Sequence, residues 1–439
     1  MFLFITFIGI YLFIKGNKYH SFLIFLFLLT DGFQFIPEPV LLFGFNVYGK
    51  DYALIYSLSI FFLLCLTGRI TFPHKSIVFF SITLFSVFLL CAAIVDIGFY
   101  NPSLPGFLLI FRVNLFVLTY FWLNKIDVEV YNKVFVFILK ITIIQSFLCI
   151  LQVPFGVKLL TGGGITDFDV LGFNWCRYSN LPYFLFPCLF ILLMCKDLIV
   201  PYKKYILMLF FMVIFFTLTR TLILGVVLTI GLSVLLGFFK NQKKLVFSFV
   251  VIFILFLPVI GARILSSTDD INTVVDADDI ENGTEMTFAF RIFHMGERYL
   301  YVNQDLKHKI FGIGFIHEID FPRDVFIFGH KDDSKNGAII QLDQGDISWS
   351  NLFLRYGIFG TLLYFLLFMS FLICFYKNNR QPVAAAGFMF MIISLILSFG
   401  SGNFSQFDFF LVPMFFFFYL REVKEKPFLL NLKETNFNG

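Results

Sequence analysis

Long apolar runs without charge, each ended by Lys, Arg, Asp, Pro or Gly, recur along the whole chain. A helix needs ~20 apolar residues to cross a bilayer's hydrocarbon core. On that measure thirteen runs are candidate spans: 1–15, 20–36, 52–68, 76–97, 104–123, 132–152, 179–195, 204–219, 221–239, 244–262, 349–376, 382–400 and 403–420. The second is short and interrupted by Asp31, with Pro37 at its end, and the first begins at Met1, so the pattern predicts about 12–14 transmembrane helices. The expected fold is all-α: a polytopic membrane helix bundle with one large extracytoplasmic loop. Residues 1–262 hold spans one to ten, 263–348 the loop, 349–420 the last three spans, and 421–439 a cytoplasmic tail.

Composition turns this pattern into a class. Of 439 residues, 59% are hydrophobic, 21% aromatic and only 14% charged, and the mean hydropathy is +0.87. Sixty-nine phenylalanines exceed what one aqueous core could bury, whereas a lipid-facing surface accepts them. A soluble globular protein is ruled out. The N-terminal run lacks a basic leader and a small-residue cleavage site, so it is expected to be retained as a span. Net charge is +4, from 33 Lys and Arg against 29 Asp and Glu, too small to argue for nucleic acid. Six cysteines lie in or beside apolar runs and read as small hydrophobes; Cys176 stands in a polar loop, and no pair has CxxC spacing.

Charge in the short connections sets an orientation, because Lys and Arg collect on the cytoplasmic side. Lys15 and Lys18, Arg69 and Lys75, Lys125 and Lys133, Lys203 and Lys204, Lys240 and Lys243, Lys377 and Arg380, and Arg421 and Lys424 fall in every second connection. The alternate connections are poor in Lys and include the two longest, 153–178 and 263–348, which should face away from the cytoplasm. Within the longer one, residues 286–312 show helical apolar spacing and predict one or two amphipathic helices at the membrane surface.

Several cations stand out against this background. Arg220 interrupts FFTLTRTLILG, where two spans meet almost without a loop, and a guanidinium held there matches phosphate oxygens bidentately. The plainer alternative is a topological stop snorkelling to headgroups. Arg177 follows Trp175 in GFNWCRYSNLPYF, among residue types that grip sugars by stacking and hydrogen bonding, although Trp and Tyr also anchor membrane boundaries. Arg112 and Lys140 lie near the centres of apolar runs with no carboxylate nearby in sequence. A cation at the bilayer centre costs at least ~2.5–3.5 kcal/mol, so each should face a protein interior or a wet cavity, there meeting an anionic ligand or backbone carbonyls.

In the large loop, Arg291, His294, Glu297 and Arg298 share about one helical face by spacing. Asp346 and His330 are the candidate bases for activating a sugar hydroxyl, with helix capping the bland role for Asp346. Asp276-Ala-Asp278 spells a metal-binding DxD, but among so many loop acids the match is weak.

Four stretches in order resemble the O-antigen polymerase and O-antigen ligase superfamily of bacterial envelope enzymes. They are TLTRT at 217–221, the Arg291 segment, GIGF at 312–315, and GDISWSNLFLRYGIFGTLLYFLLF at 345–368, where Asn351, Leu352, Leu354, Gly357, Ile358 and Gly360 fit the family's post-loop pattern. The resemblance covers roughly 170–376. It implies a helical fold like that of C-type glycosyltransferases in the bacterial inner membrane, and metal-independent, inverting transfer of a glycan from an undecaprenyl-pyrophosphate carrier. On this reading Arg220, Arg177 and Arg291 bind the pyrophosphate, Asp346 or His330 is the catalytic base, and Arg112, Lys140, Trp175 and Asn351 line the cavity. Partners would be the lipid-linked oligosaccharide, membrane lipids and a chain-length regulator. The ligase branch usually carries His-Asn before the Leu run; here Ser350 precedes Asn351, which favours a polymerase of a repeat-unit surface polysaccharide, with a ligase as the alternative. A flippase for the same carrier is the alternative of another class, but transporters place ionisable groups in paired spans near the midplane, and this chain concentrates them in and beside one loop. A non-catalytic assembly protein is a third.

The orientation is directly testable. Reporter fusions should be active outside the cytoplasm when joined after Gly329 and inside it after Lys426; the reverse at either point removes the assignment.

Overall fold

In the computed structural model, the described residues are 1–36, 40–42, 45–70, 76–161, 165–170, 173–178, 181–195, 200–217, 219–238, 288–322, 325–332, 338–342 and 347–425. The order is α1 (Phe2–Ile14), α2 (Lys18–Leu29), the hairpin β1 (Val40–Leu42) and β2 (Phe45–Val47), α3 (Gly49–Leu66), α4 (Ile77–Val95), α5 (Leu104–Phe111), α6 (Thr119–Leu123) and α7 (Val128–Phe155). A second hairpin, β3 (Ile165–Val170) and β4 (Phe173–Tyr178), leads to α8 (Leu185–Met194), α9 (Lys203–Phe216) and α10 (Arg220–Leu235). After the segment 239–287, outside the described residues, come α11 (Phe288–Val302), α12 (Leu306–Phe311), the hairpin β5 (His330–Asp332) and β6 (Ala338–Ile340), α13 (Ser348–Lys377), α14 (Pro382–Leu397) and α15 (Leu411–Glu425).

The protein is an all-α membrane bundle. Among the described residues, five helical stretches are long and apolar enough to cross a bilayer, and five shorter apolar helices accompany them. Helix α4 shows why lipid is the solvent: Phe80, Val87, Leu90 and Ile94 form an exposed apolar stripe at helical spacing, while Val78, Ile82, Phe85 and Leu89 are buried behind it. Twelve of the thirteen predicted runs contain a helix; 244–262 lies outside the described residues. Among the described residues, three short hairpins occupy connections that the hydrophobic pattern reads only as loops. The core is aromatic, with the buried Trp122 ring met edge-on by Phe13, Phe22, Phe25 and Tyr56.

Polar contacts sort the bundle into two ends. At one end, Lys18 pairs with Asp127 at 2.9 Å, Arg421 donates to Asn124 and Tyr419 to Asn132. At the other, Gly49 N donates to Asp31, Thr161 N to the Gln34 carbonyl, Ser103 to Asp320, and Phe315 N to Asp96. Helices α11 and α12 lie at this second end, the loop face.

Two predicted spans are not continuous helices. The run 104–123 is interrupted by a seven-residue 3₁₀ stretch, Arg112–Leu118, between α5 and α6. Inside it Asn114 accepts from Tyr356 Oη of α13 at 2.7 Å. Helix α13 breaks at Gly357, whose φ of 66° and ψ of −174° are not helical. The segment 348–356 therefore belongs to the loop face, and 358–377, about 30 Å of helix, does the crossing.

The break is made by the GIGF turn. Gly312 and Gly314 both have positive φ. Ile313 N donates to the Leu354 carbonyl at 2.8 Å, and a Cβ on Gly357 would lie 2.6 Å from Gly312 N. Arg355 Nη1 donates to the Gly314 and Ile316 carbonyls, and Tyr100 Oη to the Gly312 carbonyl at 2.8 Å. Asp96, fully buried where α4 widens into a π turn at Asp96–Tyr100, accepts from Phe315 N at 2.7 Å.

A Cβ on Gly314 would fall within the Asp96 carboxyl group. Gly314→Ala adds left-handed strain to that overlap, and it should cost at least about 1–3 kcal/mol, read as a lowered thermal midpoint of the detergent-purified protein. An unchanged midpoint would show that the turn is not locked as described.

Candidate functional site

The loop face has a small core of its own, Val302, Ile313, Ile316, Phe321, Phe326, Leu342 and Leu354. Around it, side chains satisfy backbone that belongs to no regular ladder. Glu318 accepts from Gln341 N and Leu342 N, each at 2.7 Å; Gln341 Oε1 accepts from Val325 N and Phe326 N, and its amide donates to the Pro322 carbonyl. Glu297 accepts from Ile327 N at 2.7 Å and Phe328 N at 3.2 Å. Arg298, fully buried, pairs with Glu297, donates to the Gln341 carbonyl at 3.0 Å and lies 4.2 Å over the Phe326 ring. Such buried networks hold a loop in place.

On this base α11 presents its predicted polar face inward. His294 is fully buried, with Nδ1 2.9 Å from Ser350 Oγ. Arg291, one turn earlier, is half-buried and reaches the connection between α14 and α15. A Cβ on Gly400 would stand 3.3 Å from Arg291 Nη1 and 3.1 Å from Thr221 Cγ2. Arg291 and the start of α10 thus meet across Gly400. The same connection is tied to α13, since Ser348 donates to the Ser401 carbonyl, Trp349 Nε1 to Ser398 Oγ at 3.0 Å, and Asn351 Nδ2 to Ser405 Oγ at 3.4 Å.

Arg291 and the helix that begins at Arg220 therefore approach the same connection, to which Asn351 is tied at Ser405. The hairpin between α9 and α10 is as tight as the sequence predicts, leaving only 217–219 between the helices, with the Arg220 side chain outside the described residues. Arg177 and Trp175 lie on β4, opposite Thr166 and Phe168 of β3, in a hairpin packed on α7; their side chains are also outside the described residues. His330 opens β5 opposite Ile340, its side chain likewise outside them. Asp346 lies outside them altogether, as do Asp276 and Asp278. Among the described residues no group of three or more His, Cys, Asp or Glu could hold a metal ion.

Two expectations need correction. Arg112, expected to meet an anionic ligand or backbone carbonyls, instead pairs with a carboxylate distant in sequence: Nη1 is 3.2 Å from Asp51 Oδ1. Asp51 sits in the first turn of α3, sixty-one positions away, where it also accepts from Tyr48 N. Only packing brings the two runs together. Lys140 faces neither an interior nor a cavity; it is exposed on α7, on the stripe shared with exposed Ile144 and Phe147. Its long stem allows the ammonium to leave the hydrocarbon along the helix, so an outward position is tolerated. Sequence reasoning also missed Ser350, Gln341, Glu318 and Gly400. The small residues of Ser398-Phe-Gly-Ser-Gly402 were the available signal for a close approach.

Burial, reinforced by the neighbouring Arg298 cation, pushes the His294 imidazole down to about 3. Burial likewise lowers Arg298 to about 10, against the raising effect of Glu297 and Glu318, so it stays charged at neutral pH. For a histidine depressed on folding, the unfolded chain binds the extra proton. Its stabilising contribution is complete above about 6.5 and is lost as pH falls toward 3. Against His294→Asn, the wild type should lose up to about 1.4 kcal/mol of stability per pH unit below 6.5. Parallel pH–stability curves for the two proteins would show that His294 is not buried neutral.

Comparison with protein-family models gives no match, and comparison with curated proteins gives none.

Proposed function

We propose that this protein polymerises a repeat-unit surface polysaccharide on the outer face of the bacterial inner membrane. It transfers glycan from an undecaprenyl-pyrophosphate carrier to the next lipid-linked unit. The observation that carries the reading is the approach of Arg291 to the start of α10, across Gly400, at the loop face. Two arginines on separate elements at a membrane surface suit a pyrophosphate leaving group, and this pair belongs to the motifs that carry the family resemblance.

In this reading an acceptor hydroxyl oxygen attacks the anomeric carbon as the carbon–oxygen bond to pyrophosphate breaks. The centre inverts, the electron pair leaves with the pyrophosphate, and the hydroxyl proton passes to a base, for which Asp346 and His330 remain the candidates. Charge grows on the leaving phosphate in the transition state. Fixed guanidinium groups lower that barrier without a metal ion, because they need no reorganisation as the charge appears.

Deleting the gene should leave single lipid-linked repeat units outside the cytoplasmic membrane, whereas loss of a flippase leaves them inside and loss of a ligase leaves long polymer on the carrier. Arg220→Lys and Arg291→Lys keep the charge but lose the fork, and each should cut polymer about a hundredfold or more with the protein still inserted. Near-normal polymer from both variants would overturn the reading.

A further inference from the structure

The contact between His294 and Ser350 has a use that its burial alone does not explain. Both side chains are fully buried, and among the described residues Nε2 of the imidazole is enclosed with no hydrogen-bond partner. A polar ring satisfied at only one nitrogen is unfavourable in a core, and an apolar residue of similar size would avoid that cost. The hydrogen bond to Ser350 is therefore what the imidazole contributes.

Its place on α11 shows what that bond controls. The C-terminal half of the helix is fixed by Glu297, Arg298 and Val302 through the loop-face network and its core. Arg291 lies seven residues before Arg298, about 10 Å along the axis, so a tilt of about 6° about the fixed half moves its backbone about 1 Å. His294 stands between them, one turn from Arg291, and Ser350 belongs to 348–356, the segment tied through Ser348 and Trp349 to the connection that carries Gly400.

We propose that His294 is a positioning residue: through Ser350 it pins the N-terminal turns of α11 to 348–356 and so holds Arg291 in register with the start of α10 for the pyrophosphate of a lipid-linked donor. The proposal rests on the reading given under Proposed function. It requires the imidazole to act uncharged, which agrees with its lowered proton affinity. Among the described residues the charged group acting on the ring is Arg298, from its own helix, and α13 offers the neutral Ser350.

The test separates the latch from the reaction. In detergent-purified protein, thermal midpoints of His294→Ala, Ser350→Ala and the double variant should be non-additive, the double losing clearly less than the sum; additive losses overturn the proposal whatever the protein catalyses. In a deletion strain, His294→Ala should cut the polymer rate by about a hundredfold, the loss a 1 Å displacement can cause. His294→Asn places an amide near Nδ1 and should restore at least half of the rate, with the wild-type pH profile between 5 and 8. An Asn variant as inactive as Ala, at equal membrane abundance and with the coupling intact, would make the imidazole itself the requirement and overturn the positioning role. If polymer is indifferent to deleting the gene while the midpoints remain coupled, the functional reading has failed, and the proposal falls with it by a distinguishable route.

Discussion

The structure depends on the approach of two backbones at Gly312 and Gly357. Nothing larger than hydrogen fits at either position, because a Cβ on Gly312 would meet the Leu354 carbonyl and one on Gly357 would meet the amide of Gly312 and the carbonyl of His308. That contact ends α12, breaks α13 and lets Ile313 pair with Leu354 in place of a helical bond. It converts a thirty-residue apolar helix into a membrane crossing plus a short segment that lies with the loop-face layer. Without the break, Ser348, Ser350 and Asn351 would continue the line of the span, and the polar entrance of α13 could not meet α11.

A bilayer offers no water to an unpaired polar group, so the polar side chains within the bundle must find one another. Several pairs among the described residues meet this constraint. Asp51 meets Arg112, Asn114 meets Tyr356, and Ser57 meets both Thr119 and Trp122. Two of these pairs join the interrupted 3₁₀ stretch to neighbouring helices. A spanning segment with poor internal hydrogen-bond geometry is stable only where such neighbours hold it. The exposed stripes of α4 and α7, by contrast, carry apolar residues that need no partner.

How much of this could be read from the residues alone follows from the range of the interactions. Spans, their alternation and the amphipathic α11 are set by local hydropathy and charge, so Phe288–Val302 was legible as a helix and Arg291, His294 and Arg298 as one face. The break at Gly357 was not, because Gly occurs unremarkably in membrane helices and only the partner glycine at 312 reveals its strain. Arg112 with Asp51, and His294 with Ser350, were equally hidden, since each pair lies more than fifty positions apart and is joined by packing. The candidate site was legible as residue types but not as a meeting: nothing in FFTLTRT or SFGSGNF says that Thr221 and Gly400 touch.

The division of labour between layer and bundle also accounts for where the arginines stand. A guanidinium inside a span must be neutralised by a neighbour, and Arg112 spends one of its faces on Asp51. At the loop face the pairing is made within the layer, as Arg298 pairs with Glu297 on its own helix. For a long side chain such as Arg291 the further demand is positional. Arg291 meets that demand by riding on a helix whose far half is fixed by the Glu297, Arg298 and Gln341 network and whose near half rests on Ser350. Rigidity that hydrocarbon imposes on the bundle through packing is thus rebuilt in the layer by buried hydrogen bonds, and the candidate site lies where the two regimes meet.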